Sequence, residues 1–210
     1  MSVAIVGHGP SMLNSMRGKL IDSFDCVIRQ KAVSHALVMN NPADFGQKVS
    51  VVSGSWTIKN ALFWHPFCQK WVFLDRRHSM VTDIEAKNYS NATGAIVLKD
   101  VCAGWTNIYT DIRSSYYEWS EAKEITKHST SDDRGVRHLS CGLYTIIYTC
   151  EILKPREITL FGFDNVKSGN FTWSLARGPD WQDYPDHRWD TENSLIPLIE
   201  SAYEVKLNFI

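Results

Sequence analysis

Residues 3–6, Val3-Ala4-Ile5-Val6, are apolar without a break, and the next five, Gly7-His8-Gly9-Pro10-Ser11, favour a turn. A strand that alternates apolar and polar residues leaves one face to water, whereas a strand apolar at every position is covered on both. Coverage on both faces calls for helices on either side of a mainly parallel sheet, so this one run already points to an α/β fold.

The rest of the chain repeats the unit. Residues 11–20 predict a helix with Ser11 as its N-cap, and 25–29 a second strand. Asn40-Asn41-Pro42 reads as loop, 49–53 as a third strand, 55–64 as a helix and 71–74 as a fourth strand. Residues 84–89 are weakly helical and 95–98 suit another strand. Leu143, Ile146, Ile147, Cys150 and Leu153 fall at helical spacing over 142–153, and Pro155 stops that helix. A strand over 157–161 ends in Gly162-Phe163-Asp164, and 191–204 predict a closing amphipathic helix interrupted near Pro197. Residues 103–137 and 165–186 lack periodicity and are expected to be loop or lid insertions. With 210 residues, 44% of them hydrophobic, one core and one domain over 1–210 are expected.

Composition excludes some functions. A formal net charge of −1 demands no polyanionic partner, although Arg76-Arg77-His78 and the stretch from Arg134 to His138 offer local positive charge. No apolar run approaches the roughly 18–20 residues that span a bilayer. Met1-Ser2 leads directly into the first strand without a leader pattern. The five cysteines form no Cys-x-x-Cys, which suits reduced thiols. A cytoplasmic protein is expected. Asp132-Asp133, Asp164, Asp183 and Asp186 do not form an Asp-x-Asp at a strand end, so no metal is expected.

In a parallel sheet, ligands bind outside the carboxyl ends of the strands. Residues 7–11, 75–78 and 162–164 lie at such ends. The first loop has Gly7-x-Gly9 but Met12 in place of a third glycine, and the second strand ends on Arg29 rather than an acid, which disfavours a dinucleotide. No Gly-Lys-Ser/Thr follows, so it is not a P-loop. Small residues at a helix start let a phosphate or ribose approach backbone amides, and they equally serve a tight turn with no ligand. Ser140-Cys141-Gly142 offers the same two readings at the next helix start. His187 precedes Glu192 by five residues; it fits a general base near neutral pH and also an ordinary surface histidine. Trp173, Trp181, Tyr184 and Trp189 suit stacking on a sugar or base, or the small core of a long loop.

Taken together, three segments resemble the eukaryotic-type sialyltransferases, glycosyltransferase family 29, and their shorter phage and bacterial relatives. Val3 to Ser11, continued by Gly18-Lys19-Leu20-Ile21-Asp22-Ser23-Phe24-Asp25-Cys26-Val27-Ile28-Arg29, is similar to the large sialylmotif. Leu139-Ser140-Cys141-Gly142-Leu143, on through Cys150 to Leu160-Phe161-Gly162-Phe163, is similar to the small sialylmotif. His187-x-x-x-x-Glu192 matches the very small motif in spacing and order.

The resemblance implies a variant Rossmann-like domain of glycosyltransferase-A type, metal-independent and inverting, with no cofactor beyond its nucleotide-sugar co-substrate. It implies nucleotide-sugar binding by Gly7, His8, Gly9, Pro10, Ser11, Arg29, Lys31, Ser140, Cys141, Gly142, Gly162, Phe163 and Asp164. His187 would be the catalytic base and Glu192 would support it. The family carries asparagine where His8 and Lys31 stand, so the implied donor is a CMP-sialic acid-like or another nucleotide sugar. The family's disulfide between the large and small motifs has no counterpart, because Val3 stands opposite Cys150. The implied acceptor is a saccharide or, in a phage enzyme, a hydroxymethylated pyrimidine in DNA, for which Arg76, Arg77, Arg134 and Arg137 would supply a basic rim. A nucleotide-binding module without turnover is the alternative.

Overall fold

All positions of β1 (Val3–Val6) are buried in the computed structural model, as an uninterrupted apolar run requires. The structure describes residues 1–7, 9–30, 40–54, 71–74, 84, 87, 88, 90, 91, 96–99, 141–164 and 189–210. Among these, β2 (Cys26–Gln30), β3 (Val51–Gly54), β4 (Trp71–Leu74), β5 (Ile96–Lys99), β6 (Glu157–Phe161) and β7 (Lys206–Phe209) join β1 in one sheet. Its order is β5-β4-β3-β2-β1-β6-β7, and every pairing is parallel. The strands run outward from β1 to β5, and the later ones then add to the other side of β1. The boundary between β1 and β6 is therefore a topological switch point, where the connections that follow neighbouring strands diverge and leave a crevice at the carboxyl edge.

Alternate side chains along each strand feed opposite faces. On one face Val3, Ile5, Cys26, Ile28, Val51, Ile158 and Leu160 pack under α3 (Cys141–Leu153) and α4 (Trp189–Tyr203). On the other, Ala4, Val6, Val27, Val52 and Phe161 meet Met12, Ile21 and Phe45. Those three come from a 3-10 turn at Pro10–Met12, from α1 (Gly18–Asp22) and from α2 (Pro42–Phe45). The sheet is thus covered on both faces, which confirms the α/β class and the parallel pairing.

Five local expectations are corrected. The helix expected over 11–20 is broken: Asn14 and Met16 adopt left-handed φ values of 59° and 55°. Their amides leave the helical path to donate to the Asp44 carboxylate, at 2.8 and 2.9 Å. Ser11 is no N-cap either, since Gly9 precedes the 3-10 turn and Ser11 lies inside it. The Asn41-Pro42 stretch starts a short helix, with proline at the first position, where its missing N–H costs nothing. Pro197 sits inside a continuous α4 on an exposed position. Finally, β7 extends the sheet beyond β6, through Lys206-Leu207-Asn208-Phe209, a segment the periodicity left unassigned.

The helix predicted over 55–64 and the insertions over 103–137 and 165–186 lie outside the described residues. In the stretch expected to be weakly helical, 84–89, Ile84, Lys87 and Asn88 are helical, as are Ser90 and Asn91 beyond it.

Candidate functional site at the switch point

The connections leaving β1 and β6 continue as a pair beyond the sheet. Gly7 N–H donates to the Phe161 carbonyl at 2.7 Å, and Gly9 N–H donates to the Gly162 carbonyl at 2.8 Å. This approach requires glycine: a Cβ on Gly7 or Gly9 would come within 2.7 or 2.6 Å of the Gly162 oxygen. Gly162 itself turns with φ of 67°, a left-handed value that an L side chain disfavours. Beneath it lies Met12, fully buried, whose side chain fills the space that a third fingerprint glycine would leave open.

Asp164 completes the pairing. One oxygen, Oδ2, accepts from the Ser11 amide at 2.7 Å, and the other, Oδ1, accepts from the Ser11 hydroxyl. The Met12 and Leu13 amides close onto the Gly9 and Pro10 carbonyls. Gly7, Gly9 and Ser11 thus spend their amides within the protein, and Pro10 has none. The amide cradle for a phosphate, expected of residues 7–11, is not formed by these four residues. Instead the loops present a floor of side chains and carbonyl groups, with Ser11 exposed and Phe163 and Asp164 partly so.

Arg29 also differs from its expected role. It is 1% exposed and shares a face with Val27, pointing away from α3 and α4. Its Nε donates to the Lys48 carbonyl at 3.0 Å and an Nη to the Phe45 carbonyl at 2.8 Å. Burial pushes the guanidinium down to about 10, with the Asp22 carboxylate opposing that shift, so it stays charged at neutral pH. These two bonds tie α2 and the strand-three approach to the sheet.

The starts of α3 and α4 reach the same edge. Ser53, near the carboxyl end of β3, shares a hydrogen bond of 2.7 Å with Thr145 in the first turns of α3, and both side chains are buried. This contact, missed in the sequence, fastens the beginning of α3 over the strand ends; the only signal for it is Thr145 and Thr149 sitting within the inward apolar stripe of the helix. Downstream, α4 ends just before β7, so a parallel β7 requires α4 to run back across the sheet from the carboxyl edge. Cys141 and Gly142 open α3, and Glu192 lies in the first turn of α4. Ser140 directly precedes α3 in sequence and His187 precedes α4 by two residues. His8, Lys31, Ser140 and His187 lie outside the described residues, as do residues 75–78 and the tryptophans and tyrosine at 173, 181 and 184.

Among the described residues, the side chains of Cys26 and Cys150 are buried. Burial, with Glu151 adjacent, pushes the Cys150 thiol up to about 12. The described residues contain no group of three or more His, Cys, Asp or Glu placed to hold a metal, and no described helix is long and apolar enough to cross a membrane.

No family model and no curated protein matches the chain. Solved structures do. The sialyltransferase CstII from Campylobacter jejuni, determined with the substrate analogue CMP-3FNeuAc, aligns over 99% of this chain and 81% of its own, with a TM-score of 0.57 at 14% identity. A mammalian sialyltransferase aligns over 98% of this chain and 68% of its own, with a TM-score of 0.51 at 17% identity. The likeness extends over nearly the whole chain, including the β1 and β6 edges where the large and small motifs were read. The chain has the fold of the sialyltransferases.

Proposed function

We propose that the chain is a single-domain glycosyltransferase that moves a sugar from a nucleotide-sugar donor to an acceptor hydroxyl. The observation that carries this reading is the pairing, at one switch point, of the residue 7–11 and 162–164 loops, with the start of α3 fastened at the same carboxyl edge of the sheet, in a fold shared with sialyltransferases. Described residues of the first two motif segments contribute to that edge, although they are far apart in sequence.

In this reading the paired loops and the start of α3, with Ser140, Cys141 and Gly142, form the nucleotide side of the cleft, together with His8 and Lys31. His187, placed in sequence just before α4, takes the proton of the acceptor hydroxyl. The hydroxyl oxygen then bonds to the anomeric carbon as the bond from that carbon to the nucleotide phosphate oxygen breaks, with inversion. Glu192, in the first turn of α4, stabilises the helix start and the imidazolium that forms. No metal takes part. A CMP-linked sugar is the first donor to test, since CstII was determined with CMP-3FNeuAc. His8 and Lys31, where the family carries asparagine, are the positions that would select a different nucleotide or sugar. A saccharide hydroxyl is the acceptor. The four arginines of the DNA version lie outside the described residues.

A thermal-shift panel of CMP, UDP, GDP and their sugars identifies the donor, because a ligand that binds only the folded state raises the melting temperature by linkage. With that donor, His187→Ala is expected to abolish transfer, and also the slow donor hydrolysis in chelator-treated buffer, while nucleotide binding persists. Turnover retained in the variant refutes the base assignment. A wild type that binds nucleotide and never hydrolyses donor is a binding module and refutes the enzyme reading.

A further inference from the structure

We infer that Asp164 is a positioning residue for donor binding, acting through Ser11 to hold the β1 and β6 loops as one floor and not by touching the donor itself. This rests on the glycosyltransferase reading above and deepens it. Four contacts join the two loops: Gly7 to the Phe161 carbonyl, Gly9 to the Gly162 carbonyl, and the Ser11 amide and hydroxyl to the two oxygens of Asp164.

The first two contacts are main-chain extensions of the β1–β6 ladder, and no side chain takes part in them. Those of Asp164 are different. They lie farthest from the sheet, join residues separated by 153 positions, and use both carboxylate oxygens on one residue of the 3-10 turn. A Cβ on Gly9 would strike the Asp164 carboxylate, so the glycine makes room for it. The carboxylate also occupies the Ser11 amide, which a phosphate would otherwise be expected to seek. A negative charge held here turns the donor's phosphate elsewhere along the cleft and leaves the floor to an uncharged part of the nucleotide.

The geometry separates a brace from a ligand by a double-mutant cycle on donor affinity and turnover. The probe is whichever of CMP, UDP and GDP stabilises the wild type, with its sugar as donor. Asp164→Ala is expected to raise Kd and donor KM about tenfold and to leave kcat within about threefold, because an unbraced floor is competent only part of the time. Ser11→Ala, which keeps the amide contact, should raise Kd less, and the double variant should bind no worse than Asp164→Ala alone. Asp164→Asn can accept from the Ser11 amide and donate to its hydroxyl, so it should return affinity to within about threefold of wild type and guard against a variant that does not fold.

Three results overturn the proposal. They are additive losses from Asp164→Ala and Ser11→Ala, an Asn variant as weak as the Ala variant, and a melting temperature that falls while donor KM stays unchanged. The first two mean direct contact with the donor, and the third a purely structural role. A wild type that binds none of the nucleotides overturns the glycosyltransferase reading, and this inference with it.

Discussion

Gly162→Ala tests the geometry of the switch point at its tightest place. Two costs can be worked out. The φ of 67° holds alanine in the left-handed region, which costs roughly 1–2 kcal/mol. The new Cβ would also lie 2.7 Å from Met12 Cγ and 3.1 Å from Gly9 N. Met12 is completely buried, so its side chain has to be displaced within a packed cluster, at about 1–3 kcal/mol. The sum, about 2–5 kcal/mol, lowers the melting temperature of a chain this size by about 4–20 °C.

Denaturant unfolding of Gly162→Ala, Met12→Ala and the double variant separates the two costs. In the Met12→Ala background the displaced side chain is gone, and adding Gly162→Ala should cost only the backbone part, about 1–2 kcal/mol. Fully additive losses, or a Gly162→Ala protein within about 0.5 kcal/mol of wild type, would refute the packing of Met12 beneath the turn.

Three other perturbations address separate links. Arg29→Met removes two donors from buried carbonyls and should cost about 2–4 kcal/mol in denaturant unfolding, with nucleotide affinity nearly unchanged; lost affinity at unchanged stability would make Arg29 a ligand residue. Asp25 is held below 3.8 by the Ser2 amide and, next, the Ser2 hydroxyl, so its contribution to stability is present above 3.8 and is lost as pH falls through its folded value. Asp25→Asn should therefore flatten the acid limb of a stability-against-pH curve, and an unchanged limb contradicts the pairing. Cys150, pushed up to about 12, remains a thiol at neutral pH, so iodoacetamide followed by mass spectrometry should label it only once denaturant unfolds the chain; rapid labelling of the native protein counts against its burial. Because the folded value is the higher one, that residue's contribution is complete below 9.0 and is lost as pH rises towards about 12.

How much of this was readable in advance depends on the range of the forces involved. β1, β4, β6 and α3 follow from local patterning, in which burial on two faces or on one stripe dictates residue type. The break at Asn14 and Met16 does not, because the group that stabilises those left-handed residues is Asp44, about thirty positions away. For Arg29 the signal lies in the sequence itself. Period-two alternation puts it on the same side as Val27, and a strand buried on both faces leaves no exposed side for it. β7 was missed since only Leu207 in its four residues is buried, which makes too short a pattern to count. At the site, the alignment of the two loops with strand ends was legible. The partnership of Ser11 with Asp164 was not, since each residue alone reads as an ordinary turn former.

The consumption of main-chain amides at the carboxyl edge has a consequence for donor choice. In dinucleotide folds the first loop binds phosphate through backbone groups, which no substitution easily alters, and so the ligand class is built into the turn. Here Gly7, Gly9 and Ser11 direct those groups into the protein. The start of α3 is independently anchored by Ser53 and Thr145. The amides of Gly7, Gly9 and Ser11 are satisfied without a ligand, and within this reading recognition shifts to side chains projecting from the floor. Positions such as His8 and Lys31 can then change between relatives and redirect donor choice while the backbone beneath stays the same. A fold shared at 14% identity is what such a division between floor and side chains would allow.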